Sequence, residues 1–96
     1  MVAGLEPSAV DLAIARGLKW QREGNELVKT WSGPDFGAAL AYVDAVGELA
    51  ERQNHHPDID IRWNKVTLRL STHSVGAITQ ADLDLASKID ALDQGS

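Results

Sequence analysis

The chain has no cysteine, which excludes a disulfide framework and a thiolate metal centre and leaves the redox compartment unmarked. It is poor in cationic residues: nine Lys plus Arg stand against fourteen Asp plus Glu, a formal charge of -5. No basic run exists to follow a phosphate backbone, so no direct nucleic-acid partner is expected. No apolar run is long enough to span a bilayer, and the first residues lack the basic-then-apolar order of a signal peptide. A cytoplasmic protein with no membrane partner is the expectation. The three prolines, Pro7, Pro34 and Pro57, fall at the edges of periodic segments and interrupt none. Ninety-six residues suit one domain, 1–96, whose modest core is marginal in isolation and favours oligomerisation.

Against these absences stands one concentration. All three histidines lie between Glu51 and His73, in Glu51-Arg52-Gln53-Asn54-His55-His56-Pro57 and then at His73. Imidazole gives and takes a proton near neutral pH, so three of them together suggest proton transfer or metal binding. Alternation predicts strands over Asp58–Trp63 and Val66–Thr72 joined by a two-residue turn at Asn64-Lys65. That register sets Trp63 opposite Val66, Ile61 opposite Leu68 and Ile59 opposite Leu70 on an apolar face. On the polar face it sets Asp60 opposite Arg69 and, extrapolated past Pro57, His56 opposite His73. Glu51 lies four residues before His55, so a helix running toward Pro57 stacks the two side chains. Proline pushes His56 into an extended conformation and leaves His55 at the helix end. There the helix dipole and Glu51 both favour the imidazolium, the form a general acid needs.

The rest of the chain builds a scaffold. Pro7-Ser8-Ala9-Val10-Asp11 reads as a helix start with Ser8 and Asp11 as a capping pair, and Val10, Ala13, Ile14 and Gly17 lay a small-residue stripe on the core. Leu18–Glu23 and Glu26–Ser32 form a hairpin about Gly24-Asn25. Trp20 and Trp31 serve as core residues or as pocket walls. Ser32-Gly33-Pro34-Asp35 caps a long helix to about Asn54, with Phe36, Leu40, Val43, Gly47 and Ala50 on one face. Ala39, Tyr42, Val46 and Leu49 widen that face beyond what one sheet needs, which hints at a partner. A loop containing Gly76 leads to Thr79-Gln80-Ala81-Asp82, the cap of a last helix carrying Leu85, Ala86, Ile89 and Leu92, with Asp84 and Lys88 as an exposed pair. The order helix, hairpin, helix, hairpin, helix predicts an α+β two-layer domain, a four-stranded antiparallel sheet with three helices on one face.

Glu51-x3-His55-His56-Pro57, then Trp63, His73 and Asp82, resembles the signature of the pterin-4a-carbinolamine dehydratase family. The likeness extends to Trp20, Asp35-Phe36 and Leu85-Ala86 and so covers nearly the whole chain. It implies the same fold, pairing through sheets and helices into homodimers or homotetramers, and removal of water from 4a-hydroxytetrahydropterin without metal or organic cofactor. That reaction recycles the pterin left by an aromatic amino-acid hydroxylase. The resemblance assigns His55, His56 and His73 to the catalytic site, with Glu51, Asp82, Pro57 and Trp63 binding substrate or supporting. Ile59 departs from the pattern, where many relatives carry an aromatic. Asp82 has a second reading as a mere helix-cap residue, third after Thr79.

Two other classes are open. Relatives of this fold also act as silent binding modules, dimerisation cofactors or assembly factors. A three-histidine zinc hydrolase is the other, but adjacent His55 and His56 in an extended segment point to opposite faces and seldom converge on one ion.

Overall fold

The computed structural model describes residues 3–94. Its elements are α1 (Pro7–Ala15), β1 (Gln21–Glu23), β2 (Glu26–Ser32), α2 (Phe36–Gln53), β3 (Asp58–Arg62), β4 (Lys65–Leu70) and α3 (Gln80–Gln94). All strand pairs are antiparallel and the sheet order is β1-β2-β4-β3, so each hairpin contributes one edge strand and one inner strand. The helices supply Val10, Ala39, Tyr42, Val46, Ala50, Leu85, Ala86 and Ile89 to a core closed by Leu27, Val66, Leu68 and Leu70 of the inner strands. This is the expected α+β architecture, one sheet with three helices over it.

Local chemistry explains most boundaries. Gly24 has φ +60°, the left-handed conformation a tight hairpin needs and glycine adopts without steric cost. The Asp35 carboxylate accepts the Ala38 N–H at 2.8 Å and opens α2. Proline at the first helical position, not the expected Ser8 cap, starts α1, whose N-cap is Glu6 with no side-chain bond; the fixed φ of Pro7 already suits a first turn. Asp11 is used elsewhere. It accepts from Arg22 of β1 at 2.9 Å, and that partner holds its carboxyl below the usual range.

The buried face of α2 is rotated from the leading stripe. Ala39, Tyr42, Val46 and Ala50 are buried, whereas Phe36 and Leu40 stay 45% and 43% exposed. Small Ala39 and Ala50 let the helix close on β4 and α3, and Tyr42 stacks flat on Trp31 with centroids 4.3 Å apart. Trp20 is core: it is 3% exposed, and its indole N–H donates to Asp90 Oδ1 at 2.9 Å. Asp90 and Asp93 both bind Lys29 Nζ at 2.5 Å, which pins α3 onto β2. Asp84 accepts from Gln80 at 2.9 Å rather than pairing with Lys88.

The second hairpin corrects the expected register by two residues. Its turn is Trp63-Asn64, so Arg62 faces Lys65, Ile61 faces Val66, Ile59 faces Leu68, Asp60 faces Thr67 and Asp58 faces Arg69. Asn64 decides this, because its side-chain amide donates to Gly33 O at 2.8 Å while its backbone carbonyl accepts the Gly33 N–H at 3.0 Å. A shift of two keeps every side chain on its predicted face. The consequence is that Trp63 leaves the apolar layer, with φ +50° and 64% exposure. Asp60 and Arg69 are therefore not partners: Asp60 accepts from Arg62 at 3.2 Å, and Arg69 reaches Glu23 and Glu26 at 3.3 and 3.4 Å.

Candidate active site

Four segment ends meet at one end of the sheet: the C-terminus of α2, the start of β3, the chain just past β4 and the N-terminus of α3. Helix α2 stops because Asn54 turns left-handed, φ 49° and ψ 43°, a conformation asparagine tolerates better than most residues. The His55 N–H then bonds back to Ala50 O at 3.1 Å, and Pro57 carries the chain into β3. His55 and His56 thus emerge from a bend, as the spacing predicted. Continued past Pro57, the observed register sets His56 opposite Ser71 and not opposite His73 as expected; the turn after Thr72 brings His73 to the same pocket. An open pocket of about 370 Å³ is lined by Asn54, His55, His56, Pro57, Asp58, Ser71, Thr72, His73 and Ser74. All three histidines line it.

The carboxylates divide between the imidazoles differently from expectation. Glu51 bonds His56, not His55, with Oε2 and Nε2 2.5 Å apart; His55 lies beyond the left-handed Asn54 and so has left the helical face that Glu51 occupies. His55 Nε2 instead bonds Asp82 Oδ1. The two pairs differ in environment. The side chains of Asp82 and His55 are 0% and 16% exposed, those of Glu51 and His56 77% and 55%. Asp82 makes two contacts at once: its Oδ2 accepts the Thr79 N–H at 2.8 Å at the start of α3 while Oδ1 faces His55. An ionised carboxylate only accepts, so Nε2 of His55 carries the hydrogen and Nδ1 is the nitrogen left for proton exchange.

Among the described residues His73 makes no side-chain hydrogen bond, and no group of three or more His, Cys, Asp or Glu side chains is placed to hold a metal ion. The Nε2 atoms of His55 and His56 go to two separate carboxylates, which is not the convergence of a three-histidine zinc centre. Trp63 is not brought to the pocket; the register correction leaves it at the hairpin tip, at the other end of the strands. Thr72 was missed. Its hydroxyl donates to Asp82 Oδ2 at 2.9 Å and lies 2.7 Å from the Thr79 hydroxyl. The available signal was the alternation Val66, Leu68, Leu70, Thr72, which puts a polar side chain on the covered face.

Known proteins resemble this chain over almost its whole length. The sequence model of the pterin 4 alpha carbinolamine dehydratase family matches residues 3–92. A Roseiflexus castenholzii protein provisionally named pterin-4-alpha-carbinolamine dehydratase is 48% identical over 96% of this chain and 99% of its own. One from Roseiflexus sp. strain RS-1, with the same provisional name, is 56% identical over 76% of this chain and 78% of its own. The crystal structure described as a transcriptional coactivator/pterin dehydratase from Brucella melitensis superposes with a TM-score of 0.84 at 27% identity, covering 92% of this chain and 96% of that one. A pterin dehydratase-like protein identified as a RuBisCO assembly factor shares the fold, at a TM-score of 0.62 and 24% identity over 76% of this chain and 84% of its own. By its sequence match and by its fold, the chain belongs to the pterin-4a-carbinolamine dehydratase family.

Proposed function

We propose that the chain is a hydro-lyase, a 4a-hydroxytetrahydrobiopterin dehydratase that removes water from pterin-4a-carbinolamine to give the quinonoid dihydropterin. The observation that carries this reading is one pocket lined by His55, His56 and His73, two of them held through Nε2 by carboxylates. Dehydration requires a proton at the leaving hydroxyl oxygen and loss of a proton from a ring nitrogen of the pterin. Nothing is oxidised or reduced, so two imidazoles suffice and no cofactor is called for. His55 and His73 are the acid and base pair, with proton exchange at His55 passing through Nδ1. His56, steadied by Glu51, binds substrate, and Pro57 fixes the bend that presents both residues.

The substrate is supplied by an aromatic amino-acid hydroxylase, and the protein works in the cytoplasm; no helix among the described residues is long and apolar enough to cross a membrane. The half-exposed Phe36 and Leu40 on α2 support a homodimer or homotetramer. They equally support a second reading, a catalytically silent module that binds another protein as dimerisation cofactor or assembly factor. The test is absorbance-monitored turnover of chemically generated carbinolamine by the purified protein. Acceleration over the uncatalysed dehydration is the expected result. A rate equal to the uncatalysed one rejects the dehydratase reading and leaves the binding module.

A further inference from the structure

We propose that Thr72 is a positioning residue that fixes the Asp82 carboxylate in the orientation that meets His55 Nε2, an inference that rests on the dehydratase reading of the same pocket. The Thr72 hydroxyl is 2.9 Å from Asp82 Oδ2 and 2.7 Å from the Thr79 hydroxyl. It has a single hydrogen. A carboxylate cannot donate, so that hydrogen goes to Asp82, and the Thr79 hydroxyl must donate to Thr72. The bonds therefore run one way, from Thr79 to Thr72 to Asp82, each polarising the next. Asp82 Oδ2 also accepts the Thr79 N–H at 2.8 Å, so two donors occupy one oxygen and leave the other to His55 Nε2.

The backbone of Thr72 acts on the other member of the acid and base pair. Its N–H donates to Ala77 O at 2.9 Å, and its carbonyl accepts from Val75 at 3.0 Å and Gly76 at 2.8 Å. These bonds close the turn that carries His73. One residue thus links the Asp82–His55 pair to the segment that presents the third histidine.

Thr72→Val removes the hydroxyl at nearly constant volume, and Thr72→Ser keeps it. In Thr72→Val we expect kcat to fall about tenfold with KM nearly unchanged, the size typical of losing an outer partner that orients a reacting imidazole. Asp82 remains an acceptor, so NMR of His55 should still show the Nε2–H tautomer, with the Nε2–H proton moved upfield as its hydrogen bond to Asp82 loosens, and Thr72→Ser should restore both readouts. An Nε2–H proton signal unchanged in folded Thr72→Val overturns the inference, and so does a serine variant as impaired as the valine one. The NMR readout needs no turnover, so an inactive parent protein rejects the dehydratase reading while the role of Thr72 is still decided. If Thr72→Val does not fold, the unsubstituted protein carries the test. Its Thr72 hydroxyl proton should be observable and protected from solvent exchange, and its absence overturns the inference.

Discussion

Asp82→Asn is the sharpest perturbation of this site, because the structure predicts which way the new amide must turn. Asp82 is fully buried and meets three donors: the Thr79 N–H and Thr72 hydroxyl at Oδ2 and His55 Nε2 at Oδ1. Asparagine offers one acceptor oxygen and one NH2 group. Two hydrogen bonds outweigh one, so the oxygen stays with the threonines and the NH2 faces His55. An N–H cannot face an N–H without a buried unsatisfied donor, so His55 moves its hydrogen to Nδ1 and loses the acceptor through which the proposed chemistry passes. We expect kcat to fall by about two to four powers of ten, as when a general acid or base is removed or locked in the wrong tautomer. That corresponds to about 3 to 5 kcal/mol of activation free energy. KM should change little, since Asp82 lies behind His55. Loss of charge assistance should also cost about 1 to 3 kcal/mol of folding stability. The assays are carbinolamine turnover and denaturant unfolding on the same preparation. A folded variant with kcat near that of the parent would refute the orienting role of Asp82.

His73→Ala should lower turnover by about two to four powers of ten and leave unfolding unchanged, because His73 is exposed; equal activity would make it a solvated turn residue. The chain has a single tyrosine, Tyr42, whose hydroxyl is pushed well above the usual range by burial, then by the negative charges of Asp93 and Asp90. Its raised folded value means that the unfolded chain loses the proton first, so stability is whole below about pH 10 and falls above it by about 1.4 kcal/mol per pH unit. Tyrosinate absorbance should therefore appear only together with unfolding, and its appearance in the folded protein would contradict the burial. Trp63→Gly should change stability by less than about 1 kcal/mol, since glycine relieves the positive φ at an exposed turn. A loss of about 3 to 5 kcal/mol, the cost of deleting a buried tryptophan, would instead restore the register with Trp63 in the core.

The sequence by itself determined the element order, the inner and outer faces of the strands and the bend at Asn54 to Pro57. Each of these is a local matter. Side-chain alternation, a glycine at positive φ and a proline after two histidines act over a few residues and need no distant partner. Face alternation cannot tell registers that differ by two residues, because both put Ile59 and Ile61 on the same side. The choice fell to Asn64 bonding Gly33, thirty-one positions away in the chain, and with it the exclusion of Trp63 from the core and from the pocket. Tertiary structure likewise reassigned Glu51 to His56, since one left-handed residue rotates His55 off the helix face that spacing implied. It also gave Asp82 its second role, because only the meeting of α3 with the end of α2 and with Thr72 puts one buried carboxylate within reach of a helix start, a hydroxyl and an imidazole.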